Sequence, residues 1–216
     1  MPLTMRSFVD RRAAGAELAA LLAARKLRPV PLVLGLPRGG VPVAREVARV
    51  LEAPLDVLVV RKIGMPGHEE LAIGAIATGG VVVREDGIER WLAGAQIPFG
   101  ELVERQRHEL ERRERAYRGD RPPLELAGRT VVLVDDGLAT GATMLAAVRA
   151  CRQAGAAQVV AAAPVGSSEA RARLESEADE VLLVSEPPYF MAVGQFYEHF
   201  DQVDDEEVRA ILARSR

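Results

Sequence analysis

The sequence predicts an α/β protein, a parallel sheet with helices on both faces. Three observations carry this. Short apolar runs of five to seven residues recur along the chain: PLVLGLP, LDVLVVR, TVVLV, QVVAAAP and EVLLV. Such runs form strands buried on both faces, as parallel strands are. Helical patterns lie between them, so strand, loop and helix alternate. The two most glycine-rich loops, residues 36–41 and 135–143, each follow a strand and precede a helix. In such sheets ligands bind beyond the carboxyl ends of the strands, so both loops are expected on one rim.

Taken in order, residues 10–25 predict an amphipathic helix with Leu18, Leu21 and Leu22 on one face, ended by Pro29 and Pro31. The strand 31–37 follows, then the Arg38-Gly39-Gly40 turn. A helix with Pro42 in its first turn, where proline is tolerated, runs to about Leu51. Residues 55–61 predict the second strand. IGMPGHEE is rich in breakers and predicts a loop, and residues 72–77 and 81–84 flank Thr78-Gly79-Gly80 as a hairpin. Residues 98–117 predict a highly charged helix whose Glu and Arg residues pair along a solvated face. Strands at 130–134, 158–164 and 180–184 alternate with helices at 143–154 and 168–177, the latter capped by Ser167. A proline-rich turn, an aromatic segment and a helix from about Asp205 complete the chain. The expected organisation is one domain over 1–216.

Composition narrows the function. The chain has 216 residues, 49% apolar and 27% charged, the balance of a globular protein. No apolar run is long enough to span a bilayer, and MPLTMRSFVDRRAAG lacks the apolar stretch of a secretory signal. Cys151 is the single cysteine, which excludes an internal disulfide. The cytoplasm is the expected location. A net charge of −3 argues against a general nucleic-acid binder. The histidines, His68, His108 and His199, are scattered and lack zinc-site spacing.

The strongest local signal is VVLVDDGLATGAT, residues 131–143. An apolar strand ends in two carboxylates, followed by glycines and threonines before a helix. Small residues let the backbone wrap a compact anion, and the amides of a helix start point at it with the dipole in favour. Asp135 and Asp136 would repel a phosphate placed on them. They suit sugar hydroxyls, from which they accept, or Mg²⁺. A ribose 5-phosphate matches both halves. Neither a Walker A loop nor the G-x-G-x-x-G fingerprint is present.

This segment closely resembles the 5-phosphoribosyl-1-pyrophosphate (PRPP) motif of type I phosphoribosyltransferases. The resemblance implies that Asp135 and Asp136 hold the ribose 2- and 3-hydroxyls, or Mg²⁺ directly or through water. It gives the 5-phosphate cradle to Gly137, Leu138, Ala139, Thr140, Gly141, Ala142 and Thr143. LPRGGVPVA, residues 36–44, resembles the family's pyrophosphate loop. Pro37, Arg38, Gly39 and Gly40 would bind pyrophosphate there, with Arg61 and Lys62 neutralising its charge, and the Pro37–Arg38 peptide is expected to be cis. The implied catalytic set is Asp135, Asp136, Arg38 and Lys62. RKIGMPGHEELAIGA also resembles a group of bacterial predicted phosphoribosyltransferases. The family's fold adds an insert, here a hairpin and helix at 63–118, with residues 63–90 as the candidate mobile lid. A small C-terminal hood, 185–216, would lie with the N-terminal helix. Tyr189 or Phe190 would stack a base, while Phe196 and Phe200 pack the hood.

The resemblance implies a pentosyltransferase passing phosphoribosyl from Mg-PRPP to a nitrogen acceptor, a nucleobase by preference. A homodimer is left open. Two alternatives share the fold: a PRPP-sensing regulator and a phosphate-metabolite binder without turnover. A regulator of nucleic acid would show a basic face, and residues 98–117 are the one Arg-dense stretch.

Overall fold

The computed structural model describes residues 7–85 and 98–215, without the side chains of residues 69–71. Helix α1 (Arg11–Ala23) starts at Asp10, whose carboxylate accepts from the Ala13 amide at 2.7 Å. Strand β1 (Leu32–Gly35) leads through residues 36–39 into α2 (Gly40–Leu51), then into β2 (Leu55–Val57). A separate group follows: β3 (Val60–Met65), β4 (His68–Ala77) and β5 (Val81–Arg84), then the long helix α3 (Phe99–Arg118). The chain then returns through β6 (Thr130–Val134), α4 (Ala142–Gln153), β7 (Gln158–Val165), α5 (Ser168–Glu175), β8 (Glu180–Ser185) and α6 (Asp205–Arg214).

Five strands form the expected parallel sheet, ordered β2-β1-β6-β7-β8. Successive strand residues point to opposite faces, and the core divides accordingly. Val33, Val132, Val134 and Val160 join one cluster with α1 and α2, while Leu34, Val131, Leu133 and Val159 join another with α4 and α5. Strand order reverses between β1 and β6, because the chain steps outward to β2 from one and to β7 and β8 from the other. That switch point is where an open α/β sheet leaves a crevice for a ligand. Among the described residues no helix is long and apolar enough to cross a membrane.

Two local expectations are corrected. The second central strand ends at Val57, not at residue 61. Leu58 still donates to Gly35 at 3.1 Å, but Val59 donates to the Thr78 hydroxyl and accepts from the Thr78 amide, both at 2.9 Å. The chain therefore leaves the parallel sheet, and Arg61 and Lys62 sit on an antiparallel strand of the smaller sheet β3-β4-β5. The breaker-rich IGMPGHEE is likewise no open loop. It is the tip of the β3–β4 hairpin, turning at Pro66-Gly67, with Met65 opposite His68 and an irregular register around Gly64. Ile63, Met65, Ile73 and Ile76 of this hairpin are buried in the same cluster as α2 and β6. Of the candidate lid, residues 63–85 form the strands of the small antiparallel sheet and their connecting turns, and 86–90 lie outside the described residues.

Helix α3 keeps its Arg residues occupied. Arg105 pairs with Glu101, Arg107 with Glu104, Arg112 and Arg113 with Glu109, and Arg115 with Glu111. Arg118 and Arg121 close on the buried Asp56 carboxylate.

Candidate active site

The two glycine-rich loops leave neighbouring strands at the switch point. Gly35 is in register with Val134, and the Leu36 amide donates to the Val134 carbonyl at 2.8 Å. Residues 37–40 and 135–143 therefore face each other across the crevice.

The longer loop is pinned to its neighbour strand. Leu138 donates to Val165 and accepts from the Ser167 amide, both at 2.9 Å, and the Ser167 hydroxyl donates to the Ala139 carbonyl at 2.6 Å. At Gly141 the backbone turns left-handed, φ +68°, a conformation that favours glycine. Helix α4 starts immediately after it. A pocket of about 170 Å³ lies on this loop, lined by Asp135, Gly137, Leu138, Ala139, Thr140, Gly141, Ala142, Thr143, Met144 and Val193. First-turn amides of a helix favour an anion beside them, and here the Ala142 amide donates to the Thr140 hydroxyl at 3.4 Å. Every expected cradle residue is there.

The shorter loop has a cis peptide at Pro37–Arg38. It approaches the acids closely: a β-carbon on Gly40 would stand 2.5 Å from the Val134 oxygen and 2.8 Å from Asp135 Cα. The Arg38 guanidinium, partly exposed, stands 3.7 Å from Asp205 at the start of α6, and Tyr117 of α3 donates to the same carboxylate oxygen at 2.8 Å. Burial and that carboxylate push the Tyr117 hydroxyl up to about 12.

The acids are placed differently. Asp135 lines the pocket and accepts from the Asp136 amide at 2.9 Å. Burial, reinforced by the Asp136 charge, raises its pKa well above the usual carboxylate range. Asp136 bonds Arg11 Nε at 2.8 Å, with both side chains largely buried, and its carbonyl accepts from the Tyr197 hydroxyl at 2.6 Å. Burial raises the Asp136 pKa also, against the opposing pull of Arg11.

The remaining candidates are not among the residues that line this pocket. Arg61 bonds Gln106 of α3 at 3.1 Å. Lys62 is exposed and lines a separate cavity of about 530 Å³ with Arg105 and Gln106. Phe190 turns inward, its ring 4.9 Å from that of the buried Phe196, whereas Tyr189 is 75% exposed. Gln195 holds this flap by bonding the backbone at Tyr189, Met191 and Ala192. Phe200 is half-buried under the Arg11 guanidinium, 3.9 Å away. Sequence reasoning missed Arg11, Tyr197, Asp205 and Val193. Of these only the aromatic segment carried a signal, as hood packing.

The residues present suit a magnesium ion. Arg11 pairs with Asp136, while Asp135, which lines the pocket, has no cation paired with it among the described residues. Mg²⁺ is commonly held by one or two carboxylates together with substrate phosphates. Among the described residues no group of three or more His, Cys, Asp or Glu side chains forms a metal site by itself.

Fold and site together define a parallel-sheet protein with a small pocket at a helix start and a carboxylate beside it at the switch point. The model of the phosphoribosyl transferase domain matches residues 10–198, and the chain belongs to that family. A Mycobacterium tuberculosis protein with a provisional phosphoribosyl transferase name is 48% identical over 211 residues, 98% of this chain and 47% of its own length. A uracil phosphoribosyltransferase from Nocardioides sp. is 35% identical over 94 residues, 44% of this chain and 42% of that protein. The chain thus spans about half the length of the curated relatives it matches. The crystal structure of TT1426 from Thermus thermophilus is 49% identical, with TM-score 0.88, over 96% of this chain and 98% of that one.

Proposed function

We propose that the protein transfers phosphoribosyl from Mg-PRPP to a nitrogen nucleophile and releases pyrophosphate. The observation that carries this is the pairing of the two ligand loops on adjacent strands. A pocket at a helix start and the Asp135 carboxylate on one loop face an Arg-Gly-Gly loop on the other. The 5-phosphate sits in the 137–143 pocket on the amides at the start of α4. Asp135 accepts from the ribose hydroxyls or holds Mg²⁺. Bound there, the metal would neutralise charge on the pyrophosphate. Arg38 and the amides around Gly39 and Gly40 take the leaving group. The bond from ribose C1 to the pyrophosphate oxygen breaks with its electron pair leaving on oxygen. The acceptor nitrogen supplies the pair for the new C–N bond and loses its proton.

A nucleobase is the proposed acceptor, supported by the partial match to a uracil enzyme. Tyr189, exposed on its flap, is the stacking candidate in preference to Phe190, which packs inward. Lys62 and Arg61 would join the site from the hairpin. The free buried thiol of Cys151 suits a cytoplasmic, reducing setting. A nucleic-acid regulator is disfavoured, because the Arg residues along the middle of α3 are matched by its own Glu residues. Incubating nucleobases singly with Mg-PRPP and measuring pyrophosphate release tests the proposal. Release that depends on one base is expected. PRPP binding with no release for any base would leave a non-catalytic binder instead.

A further inference from the structure

The amino ends of the central strands border a cavity of about 900 Å³. Leu32 and Leu55 are the first residues of β1 and β2, Arg129 immediately precedes β6, and all three line it. In a parallel sheet this is the end opposite the two ligand loops, which leave β1 and β6 at their carboxyl ends. The phosphoribosyl chemistry proposed above makes no use of it.

Charge in the wall of this cavity is out of balance. Arg118 stands 3.2 Å from each Asp56 carboxylate oxygen, and Arg121 stands 3.4 Å from one of them. The side chains of Arg118, Arg121 and Asp56 are 9%, 14% and 11% exposed, so two buried guanidiniums share one carboxylate. Salt screens buried charges far less than exposed ones. Carbonyls take up part of the excess, Pro122 from Arg118 and both Leu55 and Leu212 from Arg121. Arg118 Nη1 and Arg121 Nε have no hydrogen-bond partner among the described residues, yet no fully buried side-chain nitrogen or oxygen there lacks one. Both donors are therefore open to solvent. Arg129 is half-buried, and its guanidinium has no partner among the described residues. Asp120 and Glu125 also line the cavity, but both are exposed, where solvent and salt weaken their pull. Leu32, Leu55, Leu124, Pro122 and Pro123 make the apolar part of the wall.

We infer that this cavity is a second ligand site, built for a small organic phosphate. Arg129 and the open edges of Arg118 and Arg121 take the phosphate oxygens, which guanidinium forks match in geometry. The leucines and prolines take an apolar body. Sites for small organic ligands span about 300–1,000 Å³ and set a few convergent polar groups in apolar walls, which favours an organic phosphate over the bare ion. This inference does not rest on the phosphoribosyl reading.

Phenyl phosphate joins the two features without a ribose and serves as the probe. Titrated into isotope-labelled protein and followed by NMR, it should shift the amides of Arg121, Leu124 and Gly128 saturably. Binding in the 137–143 loop would move a separate set of amides. Arg129→Met should weaken the first effect roughly 5- to 50-fold, the loss of charge-assisted hydrogen bonds. Arg129→Lys keeps the charge without the fork and should lose less. Arg129 has no side-chain partner to forfeit, so both variants should melt within a few degrees of the parent. Leu124→Asp sets a like charge beside the phosphate and should weaken binding at least as much as Arg129→Met. Inorganic phosphate should bind at least about fivefold more weakly than phenyl phosphate, for want of an apolar body to bury. Shifts confined to residues 137–143 would overturn the inference, as would parent-like binding by both Arg129→Met and Leu124→Asp. Inorganic phosphate that binds as tightly as phenyl phosphate would overturn the assignment to an organic ligand.

Discussion

Gly39 and Asp136 meet across the two ligand loops: a β-carbon on Gly39 would land on the Asp136 carboxylate. At Gly40 the obstacle is backbone instead, the Val134 oxygen and Asp135 Cα. A strand end cannot move aside, so Gly40→Ala should cost about 1–3 kcal/mol of stability. The Asp136 side chain can move only by leaving its largely buried pair with Arg11, so Gly39→Ala should cost at least as much. Melting curves of the two variants check the order, and a clearly smaller Tm loss in Gly39→Ala would contradict it.

Arg38 rests near Asp205 at 3.7 Å, a loose pair at a half-exposed position. Pyrophosphate would compete for the same guanidinium. Arg38→Met should weaken pyrophosphate binding roughly 10- to 100-fold, the loss of charge-assisted hydrogen bonds. Asp205→Asn keeps an oxygen for Tyr117 and removes the competing charge. It should tighten binding by up to about fivefold, since exposed pairs are worth under about 1 kcal/mol. Titration of inorganic pyrophosphate into the three proteins measures both effects, and tighter binding by Arg38→Met would exclude the assigned role.

Hypoxanthine and guanine should be poor acceptors. Enzymes for 6-oxopurines in this family carry an aspartate before the Thr-Gly of the phosphate loop, where this chain has Ala139. The structure puts Ala139 on the pocket, its carbonyl engaged by Ser167. Alanine moves no proton, and a positioned acid or base is worth about 10²–10⁴-fold. The kcat/KM for hypoxanthine should fall below those for adenine, orotate and uracil. A higher value would show that another group supplies the proton transfer.

Burial pushes the Cys151 thiol up to about 12. The folded protein keeps a proton there that an unfolded chain releases near pH 8.5. Its stability contribution is present below about pH 8.5 and is lost as pH rises towards 12. Stability should fall across that alkaline window, and Cys151→Ala should make the fall shallower. Denaturant titrations at several pH values read the slope. Labelling of the native thiol at pH 8 as fast as that of the unfolded thiol would contradict the burial.

The central sheet was legible because its strands are unbroken apolar runs, and the loop 135–143 because its chemistry is contiguous in sequence. The stitched face of α3 was legible as Glu–Arg spacing. Other features were not local. Val59 leaves the parallel sheet to bond Thr78, a contact that no pattern in LDVLVVR encodes. The turn at Pro66-Gly67 looked like a loop because its breakers hide strands on either side. Arg11 and Asp136 are 125 residues apart, and a pair of that span follows only from how the termini fold together.

The most direct test is calorimetry of Mg-PRPP with the parent protein and Asp135→Asn. The parent should bind only when Mg²⁺ is present. Asp135→Asn should lose about 1.5–3 kcal/mol, the worth of hydrogen bonds to a charged group. Binding by Asp135→Asn as tight as the parent's, or binding by the parent that ignores Mg²⁺, would contradict the assignment of this crevice to PRPP.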